Sequence, residues 1–223
     1  MLSPITASNI WFLIKGLGVA LEILAALLTI GFLVGGALAM VQVYAPRKWY
    51  IQGPIRVFDR IVRGIPILLL LFTFYFGLSD VLNISPMLAS IVALGIRSSA
   101  YQAQIFRSAL LSVPPGQLSA AKAMGFTRPH AIWTIAIPLA FRYALGPWTN
   151  EFSSELKATS LVYVIGVSEL TNRASTIISN AGGYILLVFA VTALLYFVVN
   201  KTGNSLLYGL EARLRFPGFE RAN

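Results

Sequence analysis

The residues able to do chemistry in this chain are few, and several sit where water is scarce. Glu22, Arg97, Glu151 and Glu155 lie within long, mostly apolar runs. An ionisable side chain at such depth is costly and marks a functional position by default. Tyr101 and Gln104 follow Arg97 by four and seven residues, so on a helix the three share a face. Glu151 and Glu155 are four residues apart, again on one face, with Asn150 and Lys157 nearby. This inventory suits polar recognition of a solute. Internal pairing is the competing role: Arg97 can neutralise a carboxylate of the bundle, and Glu22 has Lys15 seven residues away. Covalent and metal chemistry find no support. No nucleophile–base pair is apparent, the chain has no cysteine, and its one histidine, His130, cannot build a multi-histidine site.

A second group of residues interrupts the apolar pattern at 116–140, "GQLSAAKAMGFTRPHAIWTIAIPLA". The preceding "SVPPG" (112–116) stops a helix sharply, through two prolines and a glycine. "QLSAAKAM" then offers good helix formers and no β-branched residue, which predicts a short helix. Gly125 is placed to close it as a C′ glycine, and Pro129 to open the next element. The expected helix surface is small: Ala120, Ala121 and Ala123. Small side chains let another protein approach closely. The alternative is a re-entrant loop packed on its own bundle.

The elements that must position these residues are apolar helices. Hydrophobic residues make up 57% of the 223 and charged residues only 11%, against about a quarter in soluble domains. The net charge of +9 does not indicate nucleic acid, because the basic residues gather at the ends of apolar runs. No removable signal peptide is expected at the N-terminus. Five segments are long enough to cross a membrane: 10–44, 55–78, 86–113, 132–167 and 184–210. The fourth is too long for one straight crossing. From Pro138 to Ser168 a helix rises ~45 Å, against a hydrocarbon core of ~30 Å. With "GPW" (146–148) and "LKATS" (156–160) inside it, it reads as a broken helix. Gly31 and Gly35 form a small-xxx-small packing site in the first span. Arg47, Lys48, Arg56, Arg60 and Arg63 follow the first span, Lys122 and Arg128 the third, and Arg213, Arg215 and Arg221 the fifth. The opposite connections offer Asp80, and Glu169 with Arg173. By the positive-inside rule the N-terminus lies outside, the C-terminus inside, and 114–129 in the cytoplasm.

The interrupting segment resembles the cytoplasmic signature of ABC importer permeases, E-A-A-x3-G-x9-I-x-L-P. Here it reads Ser119-Ala120-Ala121, then Gly125, then Ile135-x-Ile137-Pro138, with the nine-residue gap kept. The likeness covers nearly the whole chain. "VRGIPILLLLFTFYFG" (62–77), "AYQAQIFR" (100–107), "SVPPGQ" (112–117), Asn150 leading to "KATSLV" (157–162), and "VSELT" (167–171) resemble stretches of the amino-acid uptake branch. That branch is the histidine/glutamine/glutamate-type permeases of binding-protein-dependent ABC transporters. Ser119 and Gln104 stand where the family has glutamate, Ala158 where it has aspartate, and Pro115 where lysine is common.

The resemblance implies an all-α, type I importer-like permease domain over 1–223, in the cell membrane of a prokaryote, with 114–129 as a coupling helix. It implies that Ser119, Ala120, Ala121, Gly125, Ile135 and Pro138 form the contact with an ATPase subunit. Implied partners are a dimer of ATPase subunits, a second permease chain, identical or different, and an extracytoplasmic solute-binding protein received around 80–85 and 169–183. Membrane lipid surrounds the chain, and an amino acid is its substrate. The chain would bind no cofactor and would not be an enzyme. None of its five lysines follows a glycine, so it lacks a P-loop, and ATP with Mg belongs to the partner. Glu22, Arg97, Tyr101, Gln104, Asn150, Glu151 and Glu155 are then expected along the substrate path. If Glu151 and Glu155 line it, a cationic amino acid is favoured, with neutral polar amino acids such as glutamine as the alternative. A stand-alone secondary transporter or channel would use the same carboxylates as ion sites, but leaves the S-A-A-x3-G segment without a purpose.

Overall fold

The structure, a computed structural model, describes residues 6–181 and 184–214, with the backbone alone at 78–82 and 181. Apolar sequence without alternation favours helix, and among the described residues no strand occurs. Helix α1 (Ala7–Tyr44) starts at Thr6, whose hydroxyl accepts the Asn9 N–H at 3.3 Å, and ends just before Pro46. Helix α2 (Trp49–Gly64) and α3 (Ile67–Leu82) follow, then α4 (Pro86–Leu111). The Ser85 hydroxyl caps α4 by accepting the Leu88 N–H at 3.2 Å, with Pro86 in the first turn. Helix α5 (Pro115–Ala123) and the single turn α6 (Arg128–Ala131) lead into a π-helical turn (Ile132–Ala136) and α7 (Ile137–Ala158). A 3₁₀ segment (Thr159–Ile165), α8 (Leu170–Ala181) and α9 (Ile185–Leu214) complete the order.

The main core joins Ile23, Leu24 and Leu27 of α1 to Leu71 of α3, Ala93 and Leu94 of α4, and Leu156 of α7. Helices α1 and α4 pack most intimately. A Cβ on Gly35 would lie 2.8 Å from both the Ala103 nitrogen and the Ser99 carbonyl oxygen, and one on Gly31 would collide with the Gln102 amide. The small-xxx-small face is therefore a helix contact, as its spacing indicated. By length and hydropathy alone, α1 and α9 are each able to cross a membrane, and α3 carries a shorter apolar stretch at 67–77.

Two expectations need correction. The segment 55–78 is not one span, because Pro66 lacks an N–H and pushes Ile65 to extended backbone (φ −88°, ψ 130°). Its first part instead belongs to the amphipathic α2, which turns Ile51, Ile55, Phe58 and Val62 to partly or fully covered positions. The fourth segment is broken as expected, within "LKATS" (156–160) and not at "GPW": α7 runs through Pro147 unbroken. The break comes at Thr159 and Ser160, whose hydroxyls donate to the Leu156 and Lys157 carbonyls, each at 2.7 Å, and tighten the chain into the 3₁₀ segment. Gly166 (φ 87°) then turns it back. The connection 168–183 contains α8, whose N-terminus is capped by the buried Glu169 carboxylate accepting the Thr171 and Asn172 N–H groups at 2.8 and 2.9 Å. The side chain of Asp80, residues 182–183, and Arg215 and Arg221 lie outside the described residues.

Candidate functional site

Helices α4 and α7 bring the intramembrane charges together. The Arg97 guanidinium donates to Glu155 Oε1 at 2.7 Å; the Glu155 side chain is 0% exposed and that of Arg97 15%. Tyr101, one turn along α4, lies under the same guanidinium, 4.5 Å from ring centre to Cζ. Arg63 of α2 approaches that ring at 5.8 Å while holding Asp59 at 2.9 Å. Glu151 is buried one turn from Glu155. Its Oε1, and Glu155 Oε2, are buried without a hydrogen-bond partner. Two carboxylates thus face one arginine. Low dielectric makes such an arrangement costly unless the remaining oxygens are satisfied.

The other expected positions separate from this cluster. Asn150 is exposed on α7. Gln104 points to a cavity nearer the end of α4, with Arg47, Arg56 and Arg107. Glu22 is exposed on α1, and the described ion pairs do not join it to Lys15, whose ammonium lies over the Trp11 ring at 5.9 Å. Gln102 was not singled out from sequence. Fully buried, it donates through Nε2 to the Leu28 carbonyl at 3.2 Å and the Ser98 hydroxyl at 3.0 Å. Its Oε1 accepts from the Trp148 indole at 2.8 Å. It ties α1, α4 and α7 together; a polar residue facing a glycine pair was the available signal.

At one end of the bundle α5 sits against α6 and the π turn. Its closure is a Schellman motif: Phe126 N–H donates to Ala121 O at 3.0 Å, Gly125 N–H to Lys122 O at 2.9 Å, and Gly125 takes φ 84°. A Cβ at Gly125 would meet nothing within 4 Å, so the glycine serves the backbone turn and not space inside this chain. Ala120 and Ala123 are exposed, but Ala121 is buried, which corrects the expectation that all three face outward. Ser119 is exposed and returns its hydroxyl to the Pro115 carbonyl at 3.2 Å. Ile135 lies in the π turn and Pro138 just beyond it. Pro138 has no N–H to offer Thr134, and the ladder widens so that Ile137 N–H reaches Ile132 O. Helix α7 then continues unbroken to Glu151 and Glu155.

This all-helical bundle, with the buried Arg97–Glu155 pair and a capped helix beside it, has the fold of a type I ABC importer permease, as comparison with solved structures shows. A crystal structure of an amino acid ABC transporter with histidines superposes with a TM-score of 0.82 at 34% identity, covering 91% of this chain and 94% of that one. The sequence matches the family described as binding-protein-dependent transport system inner membrane component over residues 28–216. The glutamine transport system permease protein of Escherichia coli (strain K12) is 33% identical over 216 residues, 93% of this chain and 97% of that protein. The octopine transport system permease protein of Rhizobium radiobacter is 32% identical over 198 residues, 84% of this chain and 80% of that protein. The chain belongs to this family. It is the permease of an amino acid ABC importer, a membrane transport component and not an enzyme. Importers of this class work with an ATPase and a solute-binding protein.

Proposed function

We propose that this chain forms half of the path through which an ATP-driven importer moves a polar or cationic amino acid, and that α5 is where a separate ATPase grips it. One observation carries the reading. The exposed, capped α5 leads through the π turn into α7, and that same helix bears Glu151 and Glu155. A rigid helix passes a displacement at its Ile137 end to Glu151, ~21 Å along its axis. In this reading the chain is multi-pass in a prokaryotic cell membrane, N-terminus outside, with five crossings built from α1, α3, α4, α7 and α9. A second permease chain, identical or different, completes the path. ATP and Mg stay with the ATPase dimer, and the binding protein docks at the α8 end.

The substrate class follows from charge. Arg97 neutralises one of two buried carboxylates, and the ammonium or side-chain cation of an amino acid answers the other. Tyr101, under the Arg97 guanidinium, extends the polar surface of this site.

The test uses Ala123→Arg, because a side chain at Gly125 would strain the backbone as well as block docking. Wild type is expected to co-purify with its ATPase and Ala123→Arg to lose it. Retention by both proteins refutes the coupling assignment. For the substrate, Glu151→Gln is expected to lower arginine uptake more than glutamine uptake; unchanged arginine uptake removes the charge argument.

A further inference from the structure

A cavity of about 560 Å³ lies away from the Arg97–Glu155 pair, where the end of α1, the start of α2 and the end of α4 meet. Its charges do not balance. Arg47, Arg56 and Arg107 line it with one carboxylate, Asp59, and Arg63 already holds that group at 2.9 and 3.0 Å. Arg56 gives its Nε to the Gln52 carbonyl at 3.3 Å, which leaves its terminal nitrogens to the cavity. Among the described ion pairs none engages Arg47, Arg56 or Arg107. Guanidinium groups from three separate segments, with the Gln104 amide between them, match an anion with several oxygens, and phosphate above all.

The helix that walls the cavity says which phosphate. Outward from the bundle α2 presents Trp49, 80% exposed, with Tyr50, Val57 and Ile61, and Lys48 and Arg60 beside them. Apolar and aromatic side chains interleaved with cations on one helix belong in the interface plane of a bilayer. A phosphate at that level is the headgroup of a lipid. We infer that the cavity between α1, α2 and α4 holds the phosphate of an anionic phospholipid, with α2 lying in the interface beside it. The inference is independent of the role given to α5.

The test takes the full-length chain into nanodiscs of mixed phosphatidylglycerol and phosphatidylcholine and counts retained lipid by native mass spectrometry. Wild type is expected to retain phosphatidylglycerol preferentially. Arg47→Gln/Arg107→Gln removes two charges and should cut that preference on the order of 30-fold. Arg60→Gln, outside the cavity, should lower it far less. An undiminished preference in the double variant, or an equal fall in Arg60→Gln, overturns the site in favour of diffuse attraction. Displacement of the retained lipid by inorganic phosphate would reveal a free-anion site and overturn the lipid assignment. Should the double variant fail to elute as folded protein, Arg56→Gln decides alone: a loss on the order of fivefold supports the site, and no loss refutes it.

Discussion

Glu155 and Glu151 occupy the same face of α7, yet their environments set them apart. Glu155 is tied to Arg97 at 2.7 Å, whereas Glu151 Oε1 is buried with no partner. Removing one member of a buried pair strands the other charge, which costs about 3–5 kcal/mol. Arg97→Gln strands two carboxylates at once, so its melting temperature in detergent should fall well below wild type. Glu151→Gln removes a buried acid with an unpartnered oxygen and leaves the 2.7 Å pair intact, so its melting temperature should equal or exceed wild type. A larger loss for Glu151→Gln than for Arg97→Gln would show that Glu151 is the principal partner of Arg97. Stability and transport are expected to part at Glu151, since the acid that burial disfavours is the one proposed to meet a cationic substrate.

Helices α1 and α4 meet through glycines, and neighbouring glycines do different work. A Cβ on Gly35 would press on the backbone of α4 at 2.8 Å, and backbone cannot swing aside. A Cβ on Gly36 would meet only the Phe106 ring edge, at 4.0 Å. Gly35→Ala should destabilise the chain by about 1–3 kcal/mol through overpacking. Gly36→Ala should be neutral or stabilising by up to ~1 kcal/mol through helix propensity. Thermal unfolding of the two variants side by side checks this, and equal effects would contradict the close α1–α4 contact. The same packing holds Gln102 in its network with Leu28, Ser98 and Trp148, so Gly35→Ala should also disturb the geometry around α7.

At the scale of the whole molecule, the proposed topology sets α5 and α8 on opposite sides of the membrane. The absence of cysteine makes the topology directly measurable. A single cysteine at Ala123 should react with a membrane-impermeant maleimide only from the cytoplasmic side. One at Ser168, exposed before α8, should react only from outside. Labelling of both from one side would reverse or break the proposed orientation. Were both to label from outside, α5 could not meet an ATPase, whatever its surface.

Much of the molecule was legible in one dimension because its physics is local. Apolar length required helices, Pro114, Pro115 and Gly125 punctuated the short helix, and the nine-residue spacing from Gly125 to Ile135 pointed to an importer permease. Rare charges inside apolar runs marked Arg97, Glu151 and Glu155. What stayed hidden depended on contacts between distant segments or on competition within one turn. Spacing on one helix placed Gln104 with Arg97, but the approach of α2 to α4 drew it into a separate basic cavity. Hydropathy merged α2 with α3, though the conformational restriction before Pro66 divides them. Two stretches, "GPW" and "LKATS", could each have broken the fourth segment, and only the fold showed that the hydroxyls at 159 and 160 in the second one did. The sequence placed Glu151, Glu155 and Arg97 within apolar runs; only tertiary packing decided that the arginine holds Glu155, because a 2.7 Å contact is a property of two helices together.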